Sequence, residues 1–124
     1  MAKLLIVDDE VDILASYEII LRLEGFEVDT APHGAAALAK IAQVKPDLVI
    51  TDWMMPVMDG VELICRLKGK PCTRALPVLL LSAAGDPGRL YGVPVDQFLR
   101  KPVLIPDLLA AIARWLPKRR GTTD

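Results

Sequence analysis

Cysteine and histidine are both scarce in this 124-residue chain, and each shortage closes a class of function. The two cysteines, Cys65 and Cys72, are too few for a disulfide framework and lack metal-ligand spacing. Cys65 falls on what reads as the buried face of a helix, which suggests a small core residue in a reducing compartment. One histidine, His33, excludes a multi-histidine metal site and argues against a phosphohistidine donor within the chain; it is expected at the surface. A net charge of −1 gives no reason to expect a nucleic-acid surface. The one basic cluster, Lys118-Arg119-Arg120, sits in a polar tail after Pro117 and reads as a solvated end or the start of a linker. No apolar stretch approaches the roughly 18 residues needed to cross a bilayer. Acids follow the first apolar run at once, unlike a secretory signal. The expected location is the cytoplasm, with no membrane partner.

What the chain does have is apolar content, 52% of its residues, enough for one domain with one real core. That domain is expected over 1–117, with 118–124 as tail. Short apolar runs alternate with helical patterns. Leu4-Leu5-Ile6-Val7 runs into Asp8-Asp9, and Leu48-Val49-Ile50 runs through Thr51 into Asp52. Pro77 to Leu81 ends at Ser82, and Phe98-Leu99 leads through Arg100 to Lys101-Pro102. Phe26 to Ala31 is a weaker, edge-like strand. Between them, helical spacing is read over Val11 to Leu23 and over His33 to Val44, the latter with Leu38, Ile41 and Ala42 on one face. Two further helices are read over Val61 to Lys68 and from Pro106 onward. Five strands alternating with helices through short connections predict an α/β, three-layer, doubly wound parallel sheet. Gly85, Pro87, Gly88, Gly92 and Pro94 leave room only for a short or irregular fourth helix.

In an open α/β sheet the ligand site lies at the carboxyl ends of the strands. The runs therefore bring Asp8, Asp9, Asp52, Ser82 and Lys101 to one edge. Converging carboxylates repel, and a hard divalent cation relieves this. Mg²⁺ takes oxygen ligands, usually one or two carboxylates plus waters and phosphate oxygens. Asp9 and Asp52 are the expected direct ligands, with Asp8 acting through water and the Met54 backbone carbonyl completing the protein share. Asp52, the lone acid at the end of its strand, is the candidate nucleophile towards a phosphoryl group. Lys101 would neutralise charge on the equatorial oxygens, and the Ser82 hydroxyl would capture one of them. Singly, each residue has a plain structural reading: paired acids cap helices, and isolated serines and lysines are ordinary loop residues. Their joint appearance at four strand ends is much harder to explain that way.

Val7-Asp8-Asp9-Glu10, Thr51-Asp52-Trp53-Met54-Met55-Pro56-Val57-Met58-Asp59-Gly60, Leu81-Ser82-Ala83 and Lys101-Pro102 resemble, in order and spacing, the receiver domains of two-component response regulators. The resemblance covers nearly the whole chain. It implies a flavodoxin-like (βα)5 fold with strand order 2-1-3-4-5. It also implies phosphorylation of Asp52 by a histidine kinase or phosphotransfer protein, with Mg²⁺ or Mn²⁺ held by Asp8, Asp9, Asp52 and the Met54 carbonyl. Ser82 and Lys101 would bind the phosphoryl group, the Lys101-Pro102 bond would be cis, and Ser82 and Phe98 would form the switch. Such a domain serves no separate substrate. It signals to a downstream protein through its fourth helix, fifth strand and fifth helix, in some cases as a phosphorylation-dependent dimer. Two other readings compete. One is an adaptor that keeps the fold without phosphorylation, against which the intact acids, serine and lysine argue. The other is a Mg²⁺-dependent aspartyl phosphatase, which favours an acid two residues after the nucleophile, where Met54 stands.

The chain departs from the family in two places. The span from Ser82 to Lys101 is a few residues short, and Pro94 stands where a glycine commonly precedes the last strand. Met54 and Ala84 offer no hydrogen bond to an attacking water, so slow hydrolysis of the phosphoryl-aspartate is expected. Nothing after Pro117 reads as a DNA-binding segment, so output is expected through protein contacts or through domains outside this sequence.

Overall fold

The computed structural model describes residues 2–116, so the expected 117/118 boundary and the basic tail lie outside the described residues. Five strands alternate with five helices: β1 (Lys3–Val7), α1 (Val11–Leu23), β2 (Glu27–Ala31), α2 (Gly34–Val44), β3 (Leu48–Asp52), α3 (Gly60–Lys68), β4 (Val78–Ser82), α4 (Pro87–Tyr91), β5 (Gln97–Arg100) and α5 (Ile105–Trp115). All neighbouring strands pair in parallel, in the order β2-β1-β3-β4-β5, as the resemblance implied.

The apolar runs form the three central strands because each of their faces meets a helical layer. Leu5, Val7, Val49 and Leu80 point to the side of α2 and α3 and pack with Ile41, Leu63, Ile64 and Leu67. Leu4, Ile6, Ile50, Leu79 and Leu81 point the other way, to Leu21 of α1 and Leu108 and Ile112 of α5. The alternation follows from the two-residue period of a strand. Each fully buried leucine contributes on the order of 2 kcal/mol.

Local capping sets the helix boundaries. His33 caps α2, its Nδ1 accepting the Ala36 amide at 3.2 Å, so the lone histidine is a half-buried cap and not a free surface residue. Asp59 caps α3 by accepting the Glu62 amide at 2.8 Å. Asp86 caps α4 by accepting the Gly88 amide at 2.9 Å, Pro87 opens it, and Gly92 at φ 71° closes it after five residues. A left-handed closing residue suits glycine, which has no Cβ to clash. The short fourth helix is thus as expected.

Two helical phases differ from the sequence reading. α3 starts at Gly60 and buries Gly60, Leu63, Ile64 and Leu67, which turns Cys65 outward; both cysteines are exposed. In α2, Ala37 takes the buried place and Ala42 is exposed.

At the opposite edge from the acids, one amine gathers three segments. Lys68 Nζ donates to the Leu76 carbonyl and Asp96 Oδ2, both at 2.8 Å, and to the Arg74 carbonyl at 3.2 Å. The same Asp96 oxygen accepts the Val78 amide at 2.7 Å. The end of α3, the loop after it and the starts of β4 and β5 are thereby tied together.

Candidate functional site

The turn after β1 and the last residue of β3 bring three acids together. Asp8, Asp9 and Asp52 each place a carboxylate oxygen within 4.8 Å of the others'. β1 and β3 are register neighbours, Val7 beside Thr51, so the residues just beyond them must meet. Asp8 is buried and Asp9 exposed, with Asp52 between. Lys101, delivered by the end of β5, places its Nζ 2.9 Å from Asp52 Oδ1 and 3.7 Å from Asp8 Oδ2. The Lys101–Pro102 peptide is cis.

The electrostatics follow from this crowding. Burial raises the Asp8 carboxyl above its ordinary range; the Glu10 amide bond opposes the rise, Asp52 adds to it, Lys101 offsets and Asp9 adds. Burial alone would lower the Lys101 ammonium. Its hydrogen bond to Asp52, with the charges of Asp52 and Asp8, more than compensates and leaves it raised. Tyr17, reaching in from α1, has a phenol raised chiefly by burial, with Lys101 opposing and Asp8 and Asp52 adding. Tyr17 and Lys101 line a groove of about 590 Å³ beside the acids, with Ser16, Ala83 and Val103. Helical spacing over Val11 to Leu23 does not single Tyr17 out. Its nearness to the lysine depends on how α1 lies across the strand ends, which no local pattern encodes.

The loop after Asp52 is shaped by close backbone packing. Gly60 donates its amide to the Trp53 carbonyl at 2.8 Å, and a Cβ at Gly60 would collide with the Asp52 carbonyl oxygen. Only glycine lets α3 begin this close to the Asp52 peptide. Met55 and Met58 are buried beneath the loop, and Met58 accepts the Gly34 amide at 2.9 Å. Between them Val57 sits at φ 69°, a strained value for a β-branched residue. The Met54 side chain is exposed.

Ser82 is buried at the end of β4, and its Oγ accepts the Ala84 amide at 2.9 Å. Its neighbour Leu81 lies opposite Asp52 in register. Phe98 is half-buried against the α2–α3 side core, with the Arg100 guanidinium carbon 5.8 Å from its ring centroid. Trp53, next to Asp52, meets Tyr91 of α4 edge to face, with ring centroids 6.4 Å apart. The donor set suits a hard divalent cation: three carboxylates that repel one another at a strand edge, one of them buried.

Comparison with known proteins gives a consistent result. The model of the response regulator receiver domain matches residues 4–113. Transcriptional regulatory protein PrrA of Mycobacterium leprae is 40% identical over 124 residues, covering 98% of this chain and 52% of PrrA. The chain thus spans about half the length of that relative. Protein PilG of Pseudomonas aeruginosa is 35% identical, over 93% of this chain and 87% of PilG. Among solved structures, the signal receiver domain of a signal transduction histidine kinase from Syntrophus aciditrophicus superposes with a TM-score of 0.89. It is 32% identical and covers 100% of this chain and 98% of that one. Response regulator protein TrrA of Thermotoga maritima, in complex with Mg(2+)-BeF, gives a TM-score of 0.84 at 30% identity, over 94% of this chain and 100% of that one. A match across so much of the chain, together with a shared strand order, means that this chain belongs to the response regulator receiver domain family.

Proposed function

We propose that the chain accepts a phosphoryl group on Asp52 from the phosphohistidine of a histidine kinase or phosphotransfer protein, and that the modified state is read by a downstream protein. The observation that carries this reading is the cluster itself: three carboxylates within 4.8 Å, one of them 2.9 Å from a lysine ammonium. A carboxylate of Asp52 attacks phosphorus, the bond from phosphorus to the donor imidazole nitrogen breaks, and the imidazole keeps the electron pair and takes a proton. The product is an acyl phosphate on Asp52.

Asp9, Asp52 and the Met54 carbonyl would hold Mg²⁺ or Mn²⁺, with Asp8 acting through water. When bound, the cation supplies charge neutralisation at the phosphoryl oxygens. Lys101 keeps the Asp52 carboxylate oriented before the reaction and offers its ammonium to a phosphoryl oxygen afterwards. Ser82, with a hydroxyl proton to donate, captures another. Ser82 and Phe98 then serve as the switch, and the α4–β5–α5 face as the output surface, alone or as a phosphorylation-dependent dimer. The domain turns over no separate substrate. We place it in the cytoplasm; among the described residues no helix is long and apolar enough to cross a membrane. The TrrA complex with Mg(2+)-BeF supports the same ion and phosphoryl chemistry at this site.

The test is incubation with a small phosphodonor and Mg²⁺, followed by mass spectrometry of the intact protein. A gain of one phosphoryl group is expected in the wild type and none in Asp52→Asn. Label persisting undiminished in Asp52→Asn would sink the assignment.

A further inference from the structure

The loop that leaves β4 is held by few bonds. Ala83 and Ala84 are exposed, so neither side chain anchors it in a core. Outside the sheet ladder, three hydrogen bonds fix residues 82–84 among the described residues. The Lys101 amide donates to the Ser82 carbonyl at 2.9 Å, the Ala84 amide donates to Ser82 Oγ at 2.9 Å, and Arg100 Nη1 donates to the Ala83 carbonyl at 3.1 Å. The first is backbone to backbone and the second is local. Only the third is a side chain reaching in from another element. Arg100 lies beside Ser82 in register, and its guanidinium also stands over the Phe98 ring. One side chain therefore touches the carbonyl just after Ser82 and the half-buried aromatic two residues before itself.

We propose that Arg100 is a positioning residue that opposes phosphoryl capture by Ser82, by clamping the Ala83 carbonyl and keeping the turn that occupies Ser82 Oγ. This rests on the reading of Asp52 as the phosphoacceptor. A Ser82 hydroxyl that swings towards Asp52 gives up the Ala84 amide, and the turn has to shift with it. The guanidinium resists that shift by a charged hydrogen bond, and its place over the Phe98 ring preorganises it to do so. Clamp and charge predict opposite signs. As a bare cation near the site, Arg100 would attract an anion, and its removal would weaken anion binding. As a clamp, its removal strengthens it.

The experiment compares wild type, Arg100→Ala and Asp52→Asn, using beryllofluoride with Mg²⁺ as the phosphoryl mimic. Affinity is read by calorimetry in about 1 M salt, where the screening length falls to ~3 Å and long-range attraction is suppressed. Arg100→Ala is expected to bind about fivefold more tightly than wild type, the scale of one solvent-accessible hydrogen bond. In the free protein, its Ala84 amide should exchange about fivefold faster while the Val49 amide is unchanged, since a general loss of stability would speed both. Unchanged or weaker binding by Arg100→Ala, in a background where wild type binds and Asp52→Asn does not, overturns the clamp and leaves the site reading intact. Unchanged exchange at Ala84 does the same. Failure of the wild type to bind, or equal binding by Asp52→Asn, overturns the site reading and the clamp with it.

Discussion

Every residue of β4 is buried, and the apolar runs of β1 and β3 fill two cores, whereas β5 leaves all four of its residues half-buried or exposed. The connection that leads into β5 carries α4, five residues long, and helices shorter than ~12 residues are marginal without packing. Asp8, Asp9 and Asp52 stand at the ends of the well-packed strands; Lys101 comes from the thin one. The acids are thus held by rigid supports, while the lysine and the Ser82 loop border material that can rearrange. The switch proposed for this chain needs both qualities. Catalytic geometry tolerates little looseness, and a reporting surface must have an alternative arrangement within a few kcal/mol.

The comparison breaks most visibly through the core. Leu80→Ala, in the middle of β4, is expected to cost ~3 kcal/mol, and Leu99→Ala, half-buried on β5, about half of that. Urea denaturation checks the pair, and equal losses would contradict the contrast. Next in size, Asp8→Asn should stabilise the fold by ~1 kcal/mol while weakening Mg²⁺ binding, because it removes a desolvated charge that two other acids repel. The sign with pH is fixed. A carboxyl whose folded pKa lies above its unfolded value costs stability as pH rises from the ordinary carboxylate range through the raised value. The gain from Asp8→Asn therefore grows as pH rises through the raised value and is gone well below the ordinary carboxylate value. Melting temperatures across that range measure it, and a gain independent of pH would contradict the cause given.

How much of this was legible in the sequence divides along the same line. The central strands show because a strand buried on both faces reads as a continuous apolar run, and their end residues then name the site. The short α4 shows because glycine and proline punctuate its segment. Cys65 was misplaced because helical phase depends on the starting residue, and one residue is a turn of about 100°. The His33 cap was missed because a histidine is not among the preferred capping residues. Lys68–Asp96 and Arg100–Ala83 join residues 28 and 17 apart, and single charges carry no pattern that names a distant partner.

Two smaller tests sharpen the picture of the thin flank. Gly92→Ala puts a side chain at φ 71°, where nothing lies within 4 Å of the new Cβ, so only backbone strain is added. The expected cost is ~1 kcal/mol or less, and hydrogen exchange should place it in α4 and not in β4. Finally, Met54→Gln offers a hydrogen bond to water beside Asp52. Loss of label from phosphorylated protein is expected to speed up several-fold, on the scale of one added hydrogen bond. No change in that rate would remove Met54 from any account of the lifetime.

The Lys68 amine has a consequence for how this sequence can drift. An ammonium has three protons in a tetrahedral arrangement, and here they are aimed at Leu76 and Arg74 in the loop after α3 and at Asp96 before β5. A guanidinium keeps the charge but fans its donors in one plane at greater reach. Lysine-to-arginine exchange, among the mildest substitutions on most surfaces, is at this position a change of shape.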